Sequence, residues 1–467
     1  MDAAVTTSNL NSTLARLRAA HRTNTPDYAQ RMDDLARLRA AYRSRIEEFA
    51  KAMSADFGRR SRHESLLSDG MTVLNEIDHT RAHLRSWITP KRAAADWLFF
   101  PARTEVRCQP LGVVGVIAPW NYPVNLALNP LVAAIGAGNH VMLKPSEHTP
   151  RTSELLKDLL AKVFPNDRVA SVLGGPEVAA AFAALPLDHL FFTGSTAVGR
   201  KVMAAAAPNL TPVTLELGGK SPVIIAPGYP LPTAVDRIAA GKFLNAGQTC
   251  IAPDYVLLRK DSIAEFVAEM QKYISQRYPD TAANPDYSSI VNGGQYARLR
   301  SYLDQAHAAG AKVIELAAGD PGQRVLPPTL VLDARDDLAL MQEEIFGPIL
   351  PLVAVESVDA AVDYINARPR PLSLYHFDHD KARIERVLER THAGGVSIND
   401  TVMHFAQSEL PFGGVGPSGM GHYHGREGFL AFSKQKPVLY QARWTSMKLM
   451  RPPYRNVADF LVKFLTR

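Results

Sequence analysis

The sequence predicts an α/β protein in which helices pack against parallel sheets. From about residue 105 onward, short apolar runs typical of buried strands alternate with helical patterns. Such alternation favours parallel strands joined by helical crossovers. A second series of the same kind begins near residue 222, and the chain of 467 residues can bury large cores without disulfides.

The elements follow in order along the chain. Residues 10–90 read as helices, because apolar residues such as Leu35, Leu38 and Tyr42 recur at helical spacing. The expected strands of the first sheet are 113–118, 140–143, 169–173, 189–192 and 213–217, with helices at 153–164 and 197–207 between them. In the second series, strand 222–226 precedes a helix over 232–246 that should end at Gly247, a residue suited to a C-cap.

Composition and charge exclude several classes of protein. The net charge of +6 is small for this length, and the arginines of 37–45 and 59–62 alternate with other residues, which is typical of solvated helix faces and not of a nucleic-acid site. Cys108 and Cys250 offer neither a disulfide framework nor a Cys/His metal spacing, so no metal and a reducing, cytoplasmic location are expected. No apolar run reaches the length of about 18 residues that suggests a membrane span.

Glycine-rich segments give mixed signals about nucleotide binding. Residues 414–419 match GxGxxG, but they follow no predicted strand and contain Pro417, so they are expected to form a loop. Residues 194–201 approach a P-loop, but Arg200 occupies the lysine position, which disfavours a nucleotide hydrolase. This second segment follows a strand and opens a helix, so a phosphate site at Gly194 and Ser195 and a plain strand–helix turn are equal alternatives.

Three side chains could carry chemistry. Cys250 has small polar flanks that indicate a loop, whereas Cys108, in an extended segment, is expected to be structural. Glu216 ends an apolar run, so burial would raise its pKa toward that of a general base, although an exposed strand residue is an equal alternative. Asn121 follows a strand and could donate to an oxyanion, but alone it reads as a turn residue beside a proline.

Two further groups of polar residues follow predicted strands or loops. Lys144 and Glu147 follow a strand end, where they could hold ribose hydroxyls or form a simple turn. His422 and His424 lack acidic or cysteine neighbours and are interpreted as structural.

Taken together, the segments resemble the aldehyde dehydrogenase superfamily over residues 10–455. The matching segments, in order, are Pro119-Trp120-Asn121, Lys144-Pro145-Ser146-Glu147, Phe192-Thr193-Gly194-Ser195-Thr196, Glu216-Leu217-Gly218-Gly219-Lys220, Gly247-Gln248-Thr249-Cys250, Glu343-Glu344-Ile345-Phe346-Gly347-Pro348 and Leu410-Pro411-Phe412-Gly413-Gly414. Features near the C-terminus, such as Asn399-Asp400 and Arg451-Pro452-Pro453-Tyr454, are similar to the class-3-type branch. The segments 250–255 and 405–407 are most similar to bacterial coniferyl-aldehyde dehydrogenases.

The resemblance implies a role for each matched residue. Cys250 would be the nucleophile, Glu216 the general base, and the Asn121 amide with the Cys250 N–H the oxyanion hole. The residues expected to hold a nicotinamide cofactor are Pro119, Trp120, Lys144, Ser146, Glu147, Gly194, Ser195, Val198, Leu217, Glu344 and Phe346. NAD is favoured over NADP, because a carboxylate at Glu147 should repel a 2′-phosphate.

The resemblance also implies a domain organisation and partners. A Rossmann-like cofactor domain would comprise residues 1–95 and 110–221, and an α/β catalytic domain residues 222–410. A small β arm for oligomerisation would comprise 96–109 and 430–445, followed by a tail helix within 446–467 whose apolar face docks on the protein or on a partner subunit. A homodimer and an aldehyde substrate, such as the aromatic coniferyl aldehyde, are expected.

Three rival functions make different demands on the same residues. A cofactor-free thiol hydrolase would pair Cys250 with a histidine such as His189. An acyl-phosphate or acyl-CoA reductase would need no deacylating base, which Glu216 argues against. A binding protein without catalysis would have no need for Cys250, Glu216 and Asn121 together.

Overall fold

The computed structural model of the chain describes residues 3–445, 447–448, 451–454 and 456–466. The helices are α1 (Ala3–Thr23), α2 (Tyr28–Phe57), α3 (Arg62–Ser65), α4 (Thr72–Ile88), α5 (Asn125–Ala137), α6 (Pro150–Val163), α7 (Pro176–Ala183), α8 (Thr196–Ala206), α9 (Leu231–Phe243), α10 (Ile263–Arg277), α11 (Gly293–Ala308), α12 (Ala339–Gln342), α13 (Val358–Asn366), α14 (Lys381–Arg390), α15 (Gly425–Ala431) and α16 (Asn456–Leu465). The strands are β1 (Lys91–Ala93), β2 (Arg103–Pro110), β3 (Val113–Ile117), β4 (His140–Lys144), β5 (Val169–Ser171), β6 (His189–Thr193), β7 (Val213–Glu216), β8 (Pro222–Ile225), β9 (Tyr255–Leu258), β10 (Lys312–Glu315), β11 (Thr329–Leu332), β12 (Ile349–Ala354), β13 (Ser373–Phe377), β14 (Gly395–Ile398), β15 (Gly419–Met420) and β16 (Ser433–Tyr440). Within this part of the chain, the strands form three sheets.

The first sheet has the order β15-β7-β6-β3-β4-β5 and is parallel except for the edge strand β15. Every residue of β3 is buried, because helices cover both faces and the strand Val-Val-Gly-Val-Ile offers no polar side chain. Gly115 in this strand is required for packing, since a Cβ there would lie 2.6 Å from a methyl carbon of Leu187. The predicted parallel strands and helical crossovers are therefore confirmed.

The second sheet has the order β10-β11-β12-β9-β8-β13-β14 and is parallel except at β10. Helices α9 and α10 pack against each other and contribute to a large apolar core with β8, β9, β11 and β12. The short helix α12 leads into the segment that carries Glu344 and Phe346.

A third, three-stranded antiparallel sheet has the order β1-β2-β16. Its strands carry mostly polar residues and are partly exposed. The strand Lys91–Ala93 already pairs with β2, several residues before the predicted first boundary of the arm at residue 96. After residue 410, the predicted end of the catalytic domain, the chain returns to the first sheet, where β15 pairs with β7.

The tail helix α16 covers little of its own chain. Ala458 is buried, but Phe460 and Phe464 are 67% and 60% exposed. Docking on the same chain therefore accounts for one edge of the helix and not for its aromatic face. No helix in the described residues combines the length and apolar character needed to cross a bilayer.

Candidate active site

The carboxyl ends of the central strands of the first sheet bring the predicted residues together. Asn121 follows β3, Lys144 ends β4, Gly194 follows β6 and Glu216 ends β7. These strands are parallel neighbours, so their carboxyl ends lie at one edge, the usual position of ligand sites in open α/β sheets. The candidate site is therefore assembled by topology from segments that are far apart in sequence.

Glu216 is a buried carboxyl group without a hydrogen-bond partner in the part of the chain that the structure describes. The residue is 3% exposed, and neither carboxyl oxygen has a hydrogen-bond partner among the described residues. Burial raises its pKa well above the ordinary value for glutamate. A buried carboxyl without hydrogen bonds is costly unless it is functional, so this side chain is suited to accept a proton from a molecule that enters the site.

Cys250 lies in a turn after the 3-10 helix Leu244–Gly247, and it is partly exposed. Burial of the thiol raises its pKa, and the negative charges of Glu344 and Glu216 raise it further. Both carboxyl groups are therefore close enough to affect the ionisation of the Cys250 thiol electrostatically. The thiol is protonated at neutral pH, so it needs a nearby base or positive charge to become a nucleophile.

The backbone before Cys250 is left-handed, which corrects the helix expected over 232–246. Helix α9 ends at Phe243, and Asn245, Ala246 and Gly247 have φ values of 52°, 52° and 74°. The Asn245 N–H donates to Glu64 Oε2 at 3.0 Å, and its Nδ2 donates to the Asn121 carbonyl at 3.1 Å. These tertiary bonds hold a conformation that non-glycine residues rarely adopt, and such strain is concentrated at functional sites.

Asn121 is held by its backbone, which leaves its side chain available. Its carbonyl accepts hydrogen bonds from Arg60 Nη1 at 2.8 Å and from Asn245. Within the described residues, its side-chain amide makes no hydrogen bond, although the residue is only 4% exposed. A fixed amide with unused donors is suited to stabilise an oxyanion.

Arg60 contradicts the interpretation of residues 59–62 as a solvated helix face. It is 2% exposed and pairs with the buried Asp69 at 2.9 Å. Its guanidinium also lies over the rings of Phe57 and Tyr122 at 4.9 and 5.1 Å. A run of arginines carries no signal that separates a buried one from its exposed neighbours, so the sequence could not identify this support of Asn121.

Lys144, Ser146 and Glu147 form a compact group at the end of β4. Lys144 Nζ donates to Glu147 Oε2 at 2.9 Å, and Ser146 Oγ accepts from the His148 N–H at 3.2 Å. Although partial burial opposes it, the hydrogen bond from Lys144 holds the pKa of the Glu147 carboxyl below its ordinary value. The group therefore presents a charged carboxylate and an ammonium side by side.

The segment from Gly194 to Val198 is a strand–helix turn, as expected. Ser195 is the N-cap of α8 and its Oγ accepts from the Val198 N–H at 3.4 Å, while Val198 is 45% exposed. The Gly194 N–H donates to the Glu216 carbonyl at 3.0 Å, so it is occupied. The donors that this turn can offer an anion are therefore those of the first turn of α8.

Glu344 closes the site from the second sheet. Burial raises its pKa to about 8, and one of its oxygens has no partner among the described residues. The other oxygen lies over Gly218, where a Cβ would be 2.0 Å from Oε2. Gly218 was not among the predicted site residues, but only glycine fits beneath this carboxyl group, and the Gly-Gly pair two residues after Glu216 is the available signal.

Two interactions position the segment around Glu344. Lys220 Nζ donates to Asp254 Oδ2 at 2.6 Å and to the carbonyls of Leu340 and Glu343 at 2.8 and 3.0 Å. The Phe346 ring packs edge-on against Trp120, with ring centroids 5.3 Å apart. Pro119 and Trp120, which follow β3, are partly exposed, and Leu217, which follows β7, is buried, so all three lie after strands that end at the same edge of the sheet.

Other residues that the sequence brought to attention are those of the rival functions and those interpreted as structural. Each of them makes the contacts given below. His189 bonds Thr214 Oγ1 at 3.0 Å, and burial lowers its pKa to about 4. Cys108 is in the arm strand β2. His424 is buried among Phe405, Phe412 and Tyr423, while His422 lies 3.3 Å from Glu427. The GxGxxG segment forms a loop in which Ser418 Oγ bonds the backbone of Val415.

Comparison with known proteins gives consistent matches over nearly the whole chain. The sequence profile of the aldehyde dehydrogenase family matches residues 4–438. A probable coniferyl aldehyde dehydrogenase of Pseudomonas aeruginosa is 50% identical over 462 residues, which span 98% of this chain and 97% of that protein. Aldehyde dehydrogenase family 3 member A2 of Macaca fascicularis is 42% identical over 386 residues, spanning 82% of this chain and 79% of that protein.

A solved structure extends the match to the fold. The substrate-bound state of Staphylococcus aureus AldH has a TM-score of 0.93 at 37% identity, and the match covers 97% of this chain and 99% of that one. The predicted fold class and the resemblance to the class-3-type branch are confirmed. The chain belongs to the aldehyde dehydrogenase family and is an oxidoreductase that converts aldehydes to carboxylic acids.

Proposed function

We propose that this enzyme oxidises its aldehyde with NAD(P)+ through a thiohemiacetal and then a thioester on Cys250, and that Glu216 activates the water that releases the acid. The observation that supports this proposal is the buried Glu216 carboxyl, which has no hydrogen-bond partner among the described residues and whose charge raises the pKa of Cys250 in addition to the larger effect of burial. A carboxyl in this state is able to exchange a proton with a water molecule that enters the site.

The residues at the sheet edge fit a nicotinamide cofactor. Glu344 has a buried oxygen without a partner among the described residues, and it lies over Gly218, where no side chain fits. Lys144, Ser146 and Glu147 would hold the adenosine ribose, and Ser195 with Val198 and Gly194 would approach the pyrophosphate. The remaining contacts would come from Pro119, Trp120, Leu217, Glu344 and Phe346. When bound, the cofactor accepts the hydride that the substrate carbon loses.

The first half of the reaction forms the thioester. The Cys250 thiol loses its proton to solvent, an ionisation that the positive charge of a bound nicotinamide would favour. The thiolate adds to the aldehyde carbon, so that a C–S bond forms and the carbonyl electrons move onto oxygen. The Asn121 amide and the Cys250 N–H hold this oxyanion, and losing one such donor typically lowers the rate about 10²–10³-fold. When the oxyanion collapses, the carbonyl reforms and the C–H bond breaks, which leaves an acyl group on the sulfur.

The second half releases the acid. Glu216, after its proton has left the site, takes a proton from a water molecule, and the water oxygen adds to the thioester carbon. The C–S bond then breaks, and the Cys250 thiolate leaves as the carboxylic acid departs. Burial raises the pKa of Glu216, so its carboxylate is a stronger base toward water than an exposed glutamate would be.

NAD is our proposed choice of cofactor over NADP. Glu147 is held in its charged form by Lys144, and a negative charge at this position should repel a 2′-phosphate. Comparing kcat/KM for NAD and for NADP tests this choice, and we expect the higher value with NAD.

An aromatic aldehyde such as coniferyl aldehyde is the proposed substrate, because the relative of 50% identity bears that name. We also propose a homodimer in the cytoplasm. The edge strands β1 and β16 of the third sheet leave polar edges, and the tail helix leaves an aromatic face, for a second subunit. The two free cysteines fit a reducing compartment.

A panel of aldehydes assayed with both cofactors tests this proposal. We expect the highest kcat/KM with an aromatic aldehyde and NAD, and no oxidation in Cys250→Ala, because that variant cannot form the thiohemiacetal. Cys108→Ala is the matched control and should keep full turnover, since Cys108 lies in the arm. Full turnover in Cys250→Ala would exclude the nucleophile assignment.

A thiol hydrolase remains the alternative to be tested in the same experiment. It would cleave esters without a cofactor and would need a histidine side chain next to the Cys250 thiol. The observation against it is that His189 bonds Thr214 and is kept neutral by burial.

A further inference from the structure

A second group of side chains capable of binding a ligand lies on helix α4, outside the proposed active site. His79 and His83 are four residues apart, so they lie on the same face of the helix one turn from each other. Their ring centroids are 4.3 Å apart. Glu409, from the loop that precedes Phe412, points its Oε1 to within 3.3 Å of His79 Nε2.

The nitrogen atoms are oriented as in metal sites. His83 Nδ1 lies 2.8 Å from the His79 carbonyl, so it is the nitrogen that carries hydrogen and donates, which leaves the Nε2 lone pair available. Metal-binding histidines usually donate their other N–H to a carbonyl or carboxylate in this way. His79 Nε2 is buried and makes no hydrogen bond within the described part of the chain.

We propose that His79, His83 and Glu409 form a binding site for Zn²⁺ that joins helix α4 to the loop before Phe412. One ligand atom from each residue lies within 4.8 Å of the others. In a tetrahedral zinc site with bonds of about 2.0–2.2 Å, ligand atoms are about 3.3–3.6 Å apart. Small side-chain rotations therefore suffice, and Glu409, which is 76% exposed, is free to make them.

Zinc fits this donor set better than calcium or magnesium. Two imidazoles and one carboxylate match the nitrogen and oxygen ligands of zinc, whereas calcium and magnesium prefer oxygen alone. Water would complete the coordination. The Trp87 ring stacks on the His83 ring with an interplanar angle of 16°, which restricts that side chain to the orientation described.

The bound ion would connect the N-terminal helices to a segment near the active site. Glu409 lies three residues before Phe412, whose N–H and carbonyl pair with Tyr423. Tyr423 in turn is close enough to Glu216 and Cys250 for their charges to act on it. An ion at this position would therefore fix the loop that carries Glu409 against α4.

Calorimetric titration with Zn²⁺ alone tests the proposal. The protein would be the full chain without an affinity tag, treated with a chelator and carrying Cys250→Ala, because zinc also binds thiolates. We expect one site with a Kd of about 10 µM or tighter. Adding Glu409→Gln or His83→Gln should weaken binding at least about 10-fold, the loss seen even for outer partners of metal ligands.

The matched control is His422→Gln, which removes a histidine from another His–Glu pair, His422 and Glu427, also 3.3 Å apart. This variant should bind Zn²⁺ as tightly as its parent. Zinc should also raise the melting temperature of the parent and not that of Glu409→Gln, since an ion that binds only the folded state stabilises it. Absence of saturable binding in the parent, or unchanged binding in both ligand variants, would overturn the proposal.

Discussion

Two buried charged regions of this molecule lie close together and are built in opposite ways. At the junction of the N-terminal helices, Asp69 is fully buried, and its carboxylate accepts from Arg60 and from the N–H groups of Val124 and Asn125. In the candidate active site, Glu216 is almost as buried and neither oxygen has a partner among the described residues.

The difference distinguishes a buried carboxylate that stabilises the fold from a buried carboxyl group that can take part in a reaction. Burial of a charge is tolerated when hydrogen bonds and an ion pair replace water, as they do for Asp69. Burial raises the pKa of both carboxyl groups, but at Asp69 the Arg60 charge and two backbone N–H donors oppose the rise. Glu216 has no such partner among the described residues and remains available to react. The two regions are connected through Asn121, whose backbone carbonyl is held by Arg60 and whose side-chain amide makes no hydrogen bond among the described residues.

The largest effect is expected at the unpartnered carboxyl. Glu216→Gln should lower steady-state turnover by about 10²–10⁴-fold, the usual contribution of a general base, and should accumulate acyl-enzyme. In the wild type, deacylation should rise as the pH increases through the raised pKa, because the carboxylate is the active form. Intact-mass spectrometry after mixing with aldehyde and cofactor measures the adduct. Glu76→Gln is the control, and a normal rate without adduct in Glu216→Gln would contradict the role.

The second largest effect is expected for the side-chain amide of Asn121, which lies between the two regions. Asn121→Ala should lower kcat about 10²–10³-fold, because one donor to the oxyanion is lost. The backbone carbonyl that accepts from Arg60 remains, so the melting temperature should change little. A large loss of stability with unchanged kcat would instead place Asn121 in the supporting region.

At the paired carboxylate, the effect should be on stability. Asp69→Asn should lower the free energy of unfolding by about 3–5 kcal/mol, because Arg60 stays buried without its counter-charge. Asp78→Asn is the control, since the exposed pair of Asp78 with Arg39 should contribute at most about 1 kcal/mol. Urea unfolding at one protein concentration measures the free energy of unfolding of both variants. Equal losses of stability would show that burial does not determine how much these ion pairs contribute.

The smallest effect tests how pH acts on a buried carboxyl outside the active site. Burial raises the pKa of Glu76 to about 7, although the Gly425 N–H donates to it at 3.0 Å. The folded state then holds a proton that the unfolded state has lost, so stability falls as pH rises from about 4.5 to 7. Glu76→Gln, which keeps the acceptor, should be about 1–3 kcal/mol more stable at pH 8 and equal at pH 4. A variant that is less stable at both values would contradict this.

Sequence patterns predicted the strands well because a strand buried on both faces must be apolar along its whole length. Residues 113–118 and 189–192 correspond closely to β3 and β6. The predicted helix over 232–246 is wrong at its end, because α9 stops at Phe243 and residues 245–247 have left-handed backbone conformations. There the backbone conformation depends on Glu64 and Asn121, which are distant in sequence.

The sequence by itself determined the alternation of strands and helices and the family resemblance, and it supplied Cys250, Glu216 and Asn121 as candidates, because apolar periodicity and short motifs are local properties of a chain. Only the tertiary structure decided that Arg60 supports Asn121, that Glu344 lies over Gly218, and that His79 and His83 meet Glu409. Each of these contacts joins elements that are separated by dozens to hundreds of residues. Burial and hydrogen-bond satisfaction exist only once those elements are packed together.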